Sequence, residues 1–522
     1  MVGPRTQNHE PMNPEIAKRQ AAICATLVRE MDRLVLEERR PADQCLKHVY
    51  RQHPEYGSRD RNFYSNAVFS WFRWRGWLKT PTNANIALAI LMDASEIPPQ
   101  MEFLLEGSSL SRPDLKPAAA MGIEEKAEYL QRLLNLPAAP IDECRNLAEH
   151  NNCSVILSPD SPEIGTKDLS HTDAAAEIPR FARNDNVTFK LPCRDLVPSW
   201  FFALAFIPEH KEGKLHLKQC IEAFQTRPPT WLRLSSGREN DTLNMLAKSG
   251  YEIGQHPLLK QAVFVKGSKK FDATQFPAIE VQDLASQCVG LCCNPKAEES
   301  WWDMCSGSGG KSLHLADLMH DRGAILATDV RPAILEQLSK RLKKSTYHSI
   351  KPLLWDGVIL PPSEPYGDGT TSSRVLRPVV RPSPIKTVTS PNGNNVILPR
   401  KNFDGILIDA PCSGIGTWHR NPDARWRIEP EQIGKYAEIQ KNLLETAAPK
   451  LKAGGKLVYS TCTLTKTENI DLISGFLEQH REFRLEKLIN PLNHEPTNGI
   501  IWIWPWEGCN GMFVAVMRKI YL

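Results

Sequence analysis

From residue 276 to the C-terminus, apolar runs of strand length alternate with helical stretches. That alternation confines this half of the chain to a doubly wound, mostly parallel α/β sheet. Ligands of such sheets bind outside the carboxyl ends of the strands, so residues at strand tips carry the chemistry. Trp301-Trp-Asp-Met304 runs into Cys305-Ser-Gly-Ser-Gly-Gly-Lys-Ser312 and then a helix from Leu313 to Met319. Ala324–Thr328 ends in Asp329, and a third run ends in Leu354-Trp-Asp356. Phe403–Ile408 ends in Asp409-Ala-Pro-Cys412, and Lys456–Ser460 ends in Thr461-Cys462.

The rest of the chain must form other domains, because 522 residues exceed what one core holds. Residues 14–150 read as helical. Ile23, Leu27, Met31 and Leu34 make one apolar face of the first helix. Further helices are expected around 42–50, 61–78, 86–94 and 124–136. The segment 61–78 mixes Phe63, Tyr64, Phe69, Trp71, Phe72, Trp74 and Trp77 with Arg61, Arg73 and Arg75. Such a face can stack on RNA, but at helical spacing most of the rings are expected in a core. Residues 151–195 form a linker, poor in apolar periodicity from about 157 to 190. A small α/β subdomain follows over 196–275. The domain at 276–522 is interrupted at 359–400 by a proline-rich surface insertion.

Charged residues at 24% and hydrophobic ones at 41% fit an ordinary soluble globular protein. No apolar run is long enough for a membrane span, and no leader is evident, so a cytoplasmic protein is expected. The 13 cysteines are scattered and odd in number, which favours free thiols over disulfides. Cys292-Cys293 lacks the spacing of a zinc site, and no metal is expected. A net charge of +4 is only a weak pointer to nucleic acid.

The glycine-rich turn after Met304 lets backbone N–H groups approach an anionic ligand at a helix N-terminus. It is not a phosphate-binding P-loop, which needs glycine where this chain has Cys305, nor a dinucleotide fingerprint, which needs glycine at Ser312. Asp329 can accept hydrogen bonds from ribose hydroxyls, and Asp356 from an adenine amine. A nucleoside-bearing cofactor without phosphates fits this set, and S-adenosyl-L-methionine is the candidate. Two cysteines at one crevice point to thiol chemistry, since thiolate is a strong covalent nucleophile. Methylation at carbon 5 of a pyrimidine needs such a nucleophile at carbon 6. Asp409 would hold the base edge. His419, Arg420, Arg425, Trp426 and Arg427, just past Cys412, are candidates to grip RNA and stack a base.

The stretches Asp303–Lys311, Asp409–Gly414 and Ser460–Cys462 resemble the signatures of the RsmB/Nop2/NSUN RNA cytosine-5 methyltransferases. Val281–Gln287, His419–Trp426 and Gly511–Arg518 are similar too. The resemblance covers roughly residues 225–522. More weakly, residues 14–80 are similar to the NusB-like domain that precedes the bacterial ribosomal RNA branch. The family implies a Rossmann-like methyltransferase domain, an RNA substrate of the 16S rRNA type, Cys462 as nucleophile and Cys412 in product release. It also implies that Cys305, Ser306, Gly307, Ser308, Gly309, Gly310, Lys311, Asp329, Asp356 and Asp409 line the cofactor or base pocket. Ser306-Gly-Ser308 departs from the Ala-Pro or Gly-Pro usual there. Two alternatives stay open: a DNA cytosine-5 methyltransferase using Cys412, and a non-catalytic RNA-binding assembly factor.

Overall fold

The computed structural model describes residues 12–110, 115–134, 193–206, 213–267, 271–276, 278–355, 388–389, 395–396 and 402–521. The insertions expected at 157–190 and 359–400 therefore fall almost entirely outside the described residues. The chain divides into two units, Met1–Arg29 with Gly57–Ile221, and Glu30–Tyr56 with Glu222–Leu522.

Helices dominate the first unit. Ser58–Leu78 packs against Asn83–Asp93, and the Thr82 hydroxyl caps the latter by accepting the Asn85 N–H at 3.2 Å. Trp71, Phe72 and Trp74 are fully buried. Asp93 gathers the Ser70 hydroxyl at 2.7 Å, the Trp74 indole N–H at 2.8 Å and the Arg73 guanidinium. The aromatic row is thus mostly core, with its buried arginine paired. The first helix, Pro14–Leu36, runs across the division between units. Its fully buried positions are Cys24, Val28, Met31 and Val35, so the face is rotated slightly from the one expected: Leu27 and Leu34 flank it and Ile23 is partly exposed. In 196–275 a single turn at Phe201–Leu204 precedes a helix at Gly213–Phe224.

The second unit holds two main sheets. Strands β1 (Thr230–Leu234), β2 (Ile253–Gln255), β3 (Ala262–Val265) and β4 (Ile279–Val281) form an antiparallel sheet in the order β2-β3-β1-β4. Leu232, Leu234, Leu246, Val263 and Phe276 fill its core. Arg233 on β1 is 2% exposed and reaches Asp317 at 3.0 Å and Gln282 at 2.7 Å. This buried pair ties the small sheet to the helix Gly310–Leu318.

Next come β5 (Ser300–Asp303), β6 (Ala324–Asp329), β7 (Ile350–Leu354), the ribbon β8 (Val388–Thr389) with β9 (Asn395–Val396), β10 (Phe403–Asp409) and β11 (Leu451–Thr461). They are followed by β12 (Phe483–Leu485), the ribbon β13 (Leu488–Ile489) with β14 (Pro496–Thr497), β15 (Ile500–Ile503) and β16 (Met512–Lys519). The large sheet has the order β12-β16-β11-β10-β5-β6-β7, with β15 also paired to β16. Strands β7 to β11 along this order are parallel, while β16 is antiparallel to β11, β12 and β15. Trp301 packs into the core on one face and its neighbour Trp302 into the core on the other. Burial on both faces explains why these strands read as continuous apolar runs rather than alternating ones.

The chain steps outward from β5 through β6 and β7, then returns to β10 on the opposite side of β5. The order reverses between β5 and β10. Ligand crevices of doubly wound sheets open at this kind of switch point.

Candidate active site

The glycine-rich turn leaves β5 at the reversal. Gly309 has φ +88°, and a Cβ there would meet Leu338 Cδ1 at 2.2 Å, so glycine is needed for both the turn and the helix approach. A Cβ on Gly307 or Gly310 would meet no atom within 4 Å, so the turn faces open space at the N-terminus of the helix Gly310–Leu318. Asp329, at the tip of β6, accepts the Gly307 N–H at 3.0 Å and both arms of the exposed Arg331 guanidinium at 2.8 and 2.9 Å. Its carboxylate is therefore fixed beside the turn. Ser306 and Ser308 belong to the same turn, and the Ser308 carbonyl accepts from Arg341 at 2.7 Å. Asp356 lies outside the described residues.

Across the reversal, Lys311 Nζ donates to Asp409 Oδ2 at 2.6 Å and the Ser460 hydroxyl donates to Asp409 Oδ1 at 2.9 Å. Burial works against the Lys311 charge, but Asp409 outweighs it and holds the ammonium above the usual lysine range. One carboxylate thus links the helix after β5 to the tips of β10 and β11.

The Cys412 and Cys462 sulfurs stand 3.4 Å apart. The loop after β10 is held over the tip of β11 by two backbone bonds, Ala410 N–H to Ser460 O and Gly416 N–H to Cys462 O, both 2.9 Å. The hydrogen bond to Cys462, with burial, pushes the Cys412 thiol well up. The Cys412 thiol therefore keeps its proton beside the Cys462 sulfur. Burial also pushes the Cys305 thiol well up, so that residue is a neutral lining group rather than a second nucleophile.

Sequence reasoning missed the residues that hold this pair. Glu468 is buried and accepts the Ser413 N–H at 2.8 Å, the Ser413 hydroxyl at 2.5 Å, the Thr465 hydroxyl at 2.8 Å and the Gln440 amide at 3.1 Å. Gln440 also donates to the Pro411 carbonyl at 2.8 Å. Asn469 accepts the Thr461 hydroxyl at 2.6 Å and donates to Thr463 O at 3.1 Å. The available signal was a Glu-Asn pair a few positions beyond Cys462 in an otherwise ordinary polar turn.

Asp303 was also unassigned. It is fully buried, accepts the Ser312 hydroxyl at 2.6 Å, and burial raises its carboxyl to about 7. The native state therefore holds a proton that the unfolded chain releases near pH 4. Stability is expected to fall as pH rises from about 4 to about 7, with a slope approaching 1.4 kcal/mol per unit. Urea unfolding of wild type and Asp303→Asn across that range checks this: the difference between them should follow that slope, and parallel profiles would refute it.

The RNA-gripping cluster needs correction. His419 is 1% exposed and Arg425 0%, so neither offers a surface to RNA. Arg425 donates to the carbonyls of Phe224 at 2.9 Å and Trp418 at 3.2 Å. Arg420 and Trp426 keep part of their surface, but Arg420 is engaged with Asp283 at 3.1 Å and the Pro229 carbonyl at 2.9 Å. Asp423 accepts the Ala42 N–H at 3.1 Å and Arg427 at 3.1 Å, and the Trp426 carbonyl accepts from Arg39 at 2.8 Å. This arginine-rich loop is a structural joint that seats the helix Ala42–Gln52. Sequence could not reveal it, because the partners lie almost four hundred positions away.

A family model described as 16S rRNA methyltransferase RsmB/F matches residues 291–361 and 385–518, the stretch that contains the glycine turn, Asp409 and both cysteines. Over these residues the chain is similar to the RsmB/F methyltransferase family. A Synechocystis protein named probable ribosomal RNA small subunit methyltransferase B is 32% identical over 334 residues, 62% of this chain and 66% of its own length. A Bacillus subtilis protein of the same name is 28% identical over 342 residues, 62% of this chain and 65% of its own. The chain thus spans just under two thirds of these relatives. The crystal structure of PH0851 superposes with a TM-score of 0.60 at 21% identity, covering 98% of this chain and all of that one, a likeness of fold. Among the described residues no helix is long and apolar enough to cross a membrane.

Proposed function

We propose that this protein is an S-adenosyl-L-methionine-dependent methyltransferase that modifies carbon 5 of a cytosine in RNA, with ribosomal RNA of the small subunit as substrate. The observation that carries the reading is the pair of sulfurs 3.4 Å apart at the mouth of the sheet's reversal. The family match and the relatives' names support the ribosomal substrate. Such a substrate would be met in the cytoplasm.

The open space before Gly307 and Gly310, the helix N-terminus and the fixed Asp329 carboxylate fit the cofactor. Residues 305–311, with Asp329 and Asp356, would hold it, and when bound it supplies an electrophilic methyl group. Carbon 5 of cytosine is too weak a nucleophile to accept that methyl unaided. Cys462 adds its sulfur to carbon 6, forming a C–S bond and moving ring electrons to carbon 5. Asp409, steadied by Lys311 and Ser460, accepts hydrogen bonds from the base edge and fixes its orientation. Cys412 is the neutral thiol beside the reacting sulfur. In the final step the Cys412 sulfur takes the carbon 5 proton and passes its own to the Cys462 sulfur, while the C–S bond breaks and the ring regains its double bond.

Bisulfite sequencing of ribosomal RNA from cells with and without the protein tests this. One cytosine should resist conversion only when the protein is present. An unchanged conversion map in small-subunit RNA would overturn the reading.

A further inference from the structure

We propose that Arg341 is a positioning residue for the cofactor: tied to Glu280 of the small sheet, it fixes the shape of the glycine-rich turn that would hold S-adenosyl-L-methionine. The proposal rests on the methyltransferase reading above and adds a task for the antiparallel sheet. Arg341 lies on the helix Pro332–Leu342, which follows β6. Its Nη1 donates to the Ser308 carbonyl at 2.7 Å and to the Ser308 hydroxyl at 3.2 Å. Its Nη2 donates to Glu280 Oε2. Leu338, three residues earlier and on the same face of the helix, is the side chain that closes on Gly309. One helix therefore grips two consecutive residues of the turn, Ser308 by hydrogen bonds and Gly309 by contact.

The far side of Gly309 is held from the same strand. Glu280 lies on β4, the edge of the small sheet, and Gln282 follows two positions later. The Gln282 N–H donates to Trp231 O at 3.2 Å, which carries the ladder between β1 and β4 one residue further. Gln282 Nε2 donates to the Gly310 carbonyl at 3.3 Å, and its Oε1 accepts the buried Arg233 Nε at 2.7 Å. The carbonyls on both sides of Gly309 thus end on donors anchored to one edge strand. Three glycines in five residues give the turn more conformational freedom to lose than any other residues would. Ties from outside the turn remove that freedom before a ligand arrives, which is how preorganisation raises affinity. A trans peptide is planar, so fixing the Gly310 carbonyl also fixes the opposite direction of the Lys311 N–H. That N–H belongs to the first turn of the helix Gly310–Leu318, where backbone donors have no partner within the helix.

The test measures binding of S-adenosyl-L-methionine and of S-adenosyl-L-homocysteine to the full-length chain by calorimetry, without RNA. Arg341→Met keeps the apolar stem but removes every donor. It should weaken both ligands about tenfold, with the urea midpoint close to that of wild type. Arg341→Lys keeps the charge and one partner, and should recover part of the affinity. Glu280→Gln should weaken both ligands less, and adding it to Arg341→Met should cost nothing more, because the glutamate acts through the arginine. Full additivity of the two changes would overturn the link between them. Unchanged affinity for both ligands in Arg341→Met would overturn the positioning role while leaving the methyltransferase reading intact. A loss of affinity that only followed a lowered urea midpoint, with no recovery in Arg341→Lys, would make the arginine structural and would also overturn it. Failure of wild type to bind either ligand would instead bring down the underlying reading, and the proposal with it.

Discussion

Cys462→Ala is expected to lower methyl transfer about a thousandfold or more, because under the proposed mechanism it removes the atom that activates carbon 5. Cys412→Ser should behave differently. The sulfur that sits 3.4 Å from Cys462 in the wild type is replaced by a poorer proton carrier, while the nucleophile stays in place. Addition should proceed and release should stall, so RNA-linked protein should accumulate on a denaturing gel. Combining the two changes should abolish the adduct. This pattern separates the RNA-type assignment from the DNA-type alternative. If Cys412 were the nucleophile, the adduct would build up in the Cys462 variant and vanish in the Cys412 variant. A non-catalytic RNA-binding assembly factor would form no adduct in either variant, and wild type would transfer no methyl group.

The second large effect is expected at Glu468. Its carboxylate collects four donors, two of them from Ser413, the residue after Cys412. Glu468→Ala would leave buried donors without a partner, and each such group costs about 1–3 kcal/mol. A loss on the order of 3–5 kcal/mol is expected by urea unfolding. Glu468→Gln keeps the size and one accepting oxygen, so it should keep much of the stability. Its amide would face donors rather than accept them, however, and the loop bearing Cys412 would be loosened. The glutamine variant should fold, bind S-adenosyl-L-methionine normally and show slower release, seen as RNA-linked protein at steady state. If the alanine variant were as stable as wild type, this carboxylate would not be what holds the loop.

Residues close in sequence or repeating with a strand's period were legible. The run from Trp301 to Lys311 shows a strand, a glycine turn and a helix without any structure. The tips at Asp409 and Cys462 announce themselves because polar, reactive residues end otherwise apolar runs. Long-range partners were not legible. Nothing near Arg425 indicates that its guanidinium is spent on the carbonyls of Phe224 and Trp418, so a cluster of arginines read as a surface. Glu468 looked like one solvated acid among many, since burial is a property of the fold and not of the letter. Asp303 was visible only as the end of a strand. Its raised carboxyl comes from a core assembled from distant segments. The small sheet was legible as mixed α/β, but its antiparallel order depends on pairings such as Leu232 with Val281, which no local pattern encodes.

The seat that Asp423, Trp426 and Glu429 provide for Arg39 and Ala42 has a practical corollary. The matched domain leans on a segment almost four hundred positions before the residues that seat it. Trimming the chain to its matched domain would strip away residues 30–56, uncovering a carboxylate and a carbonyl that normally close around the amino end of a helix. A shortened chain would keep that joint closed only if this small anterior segment went with it.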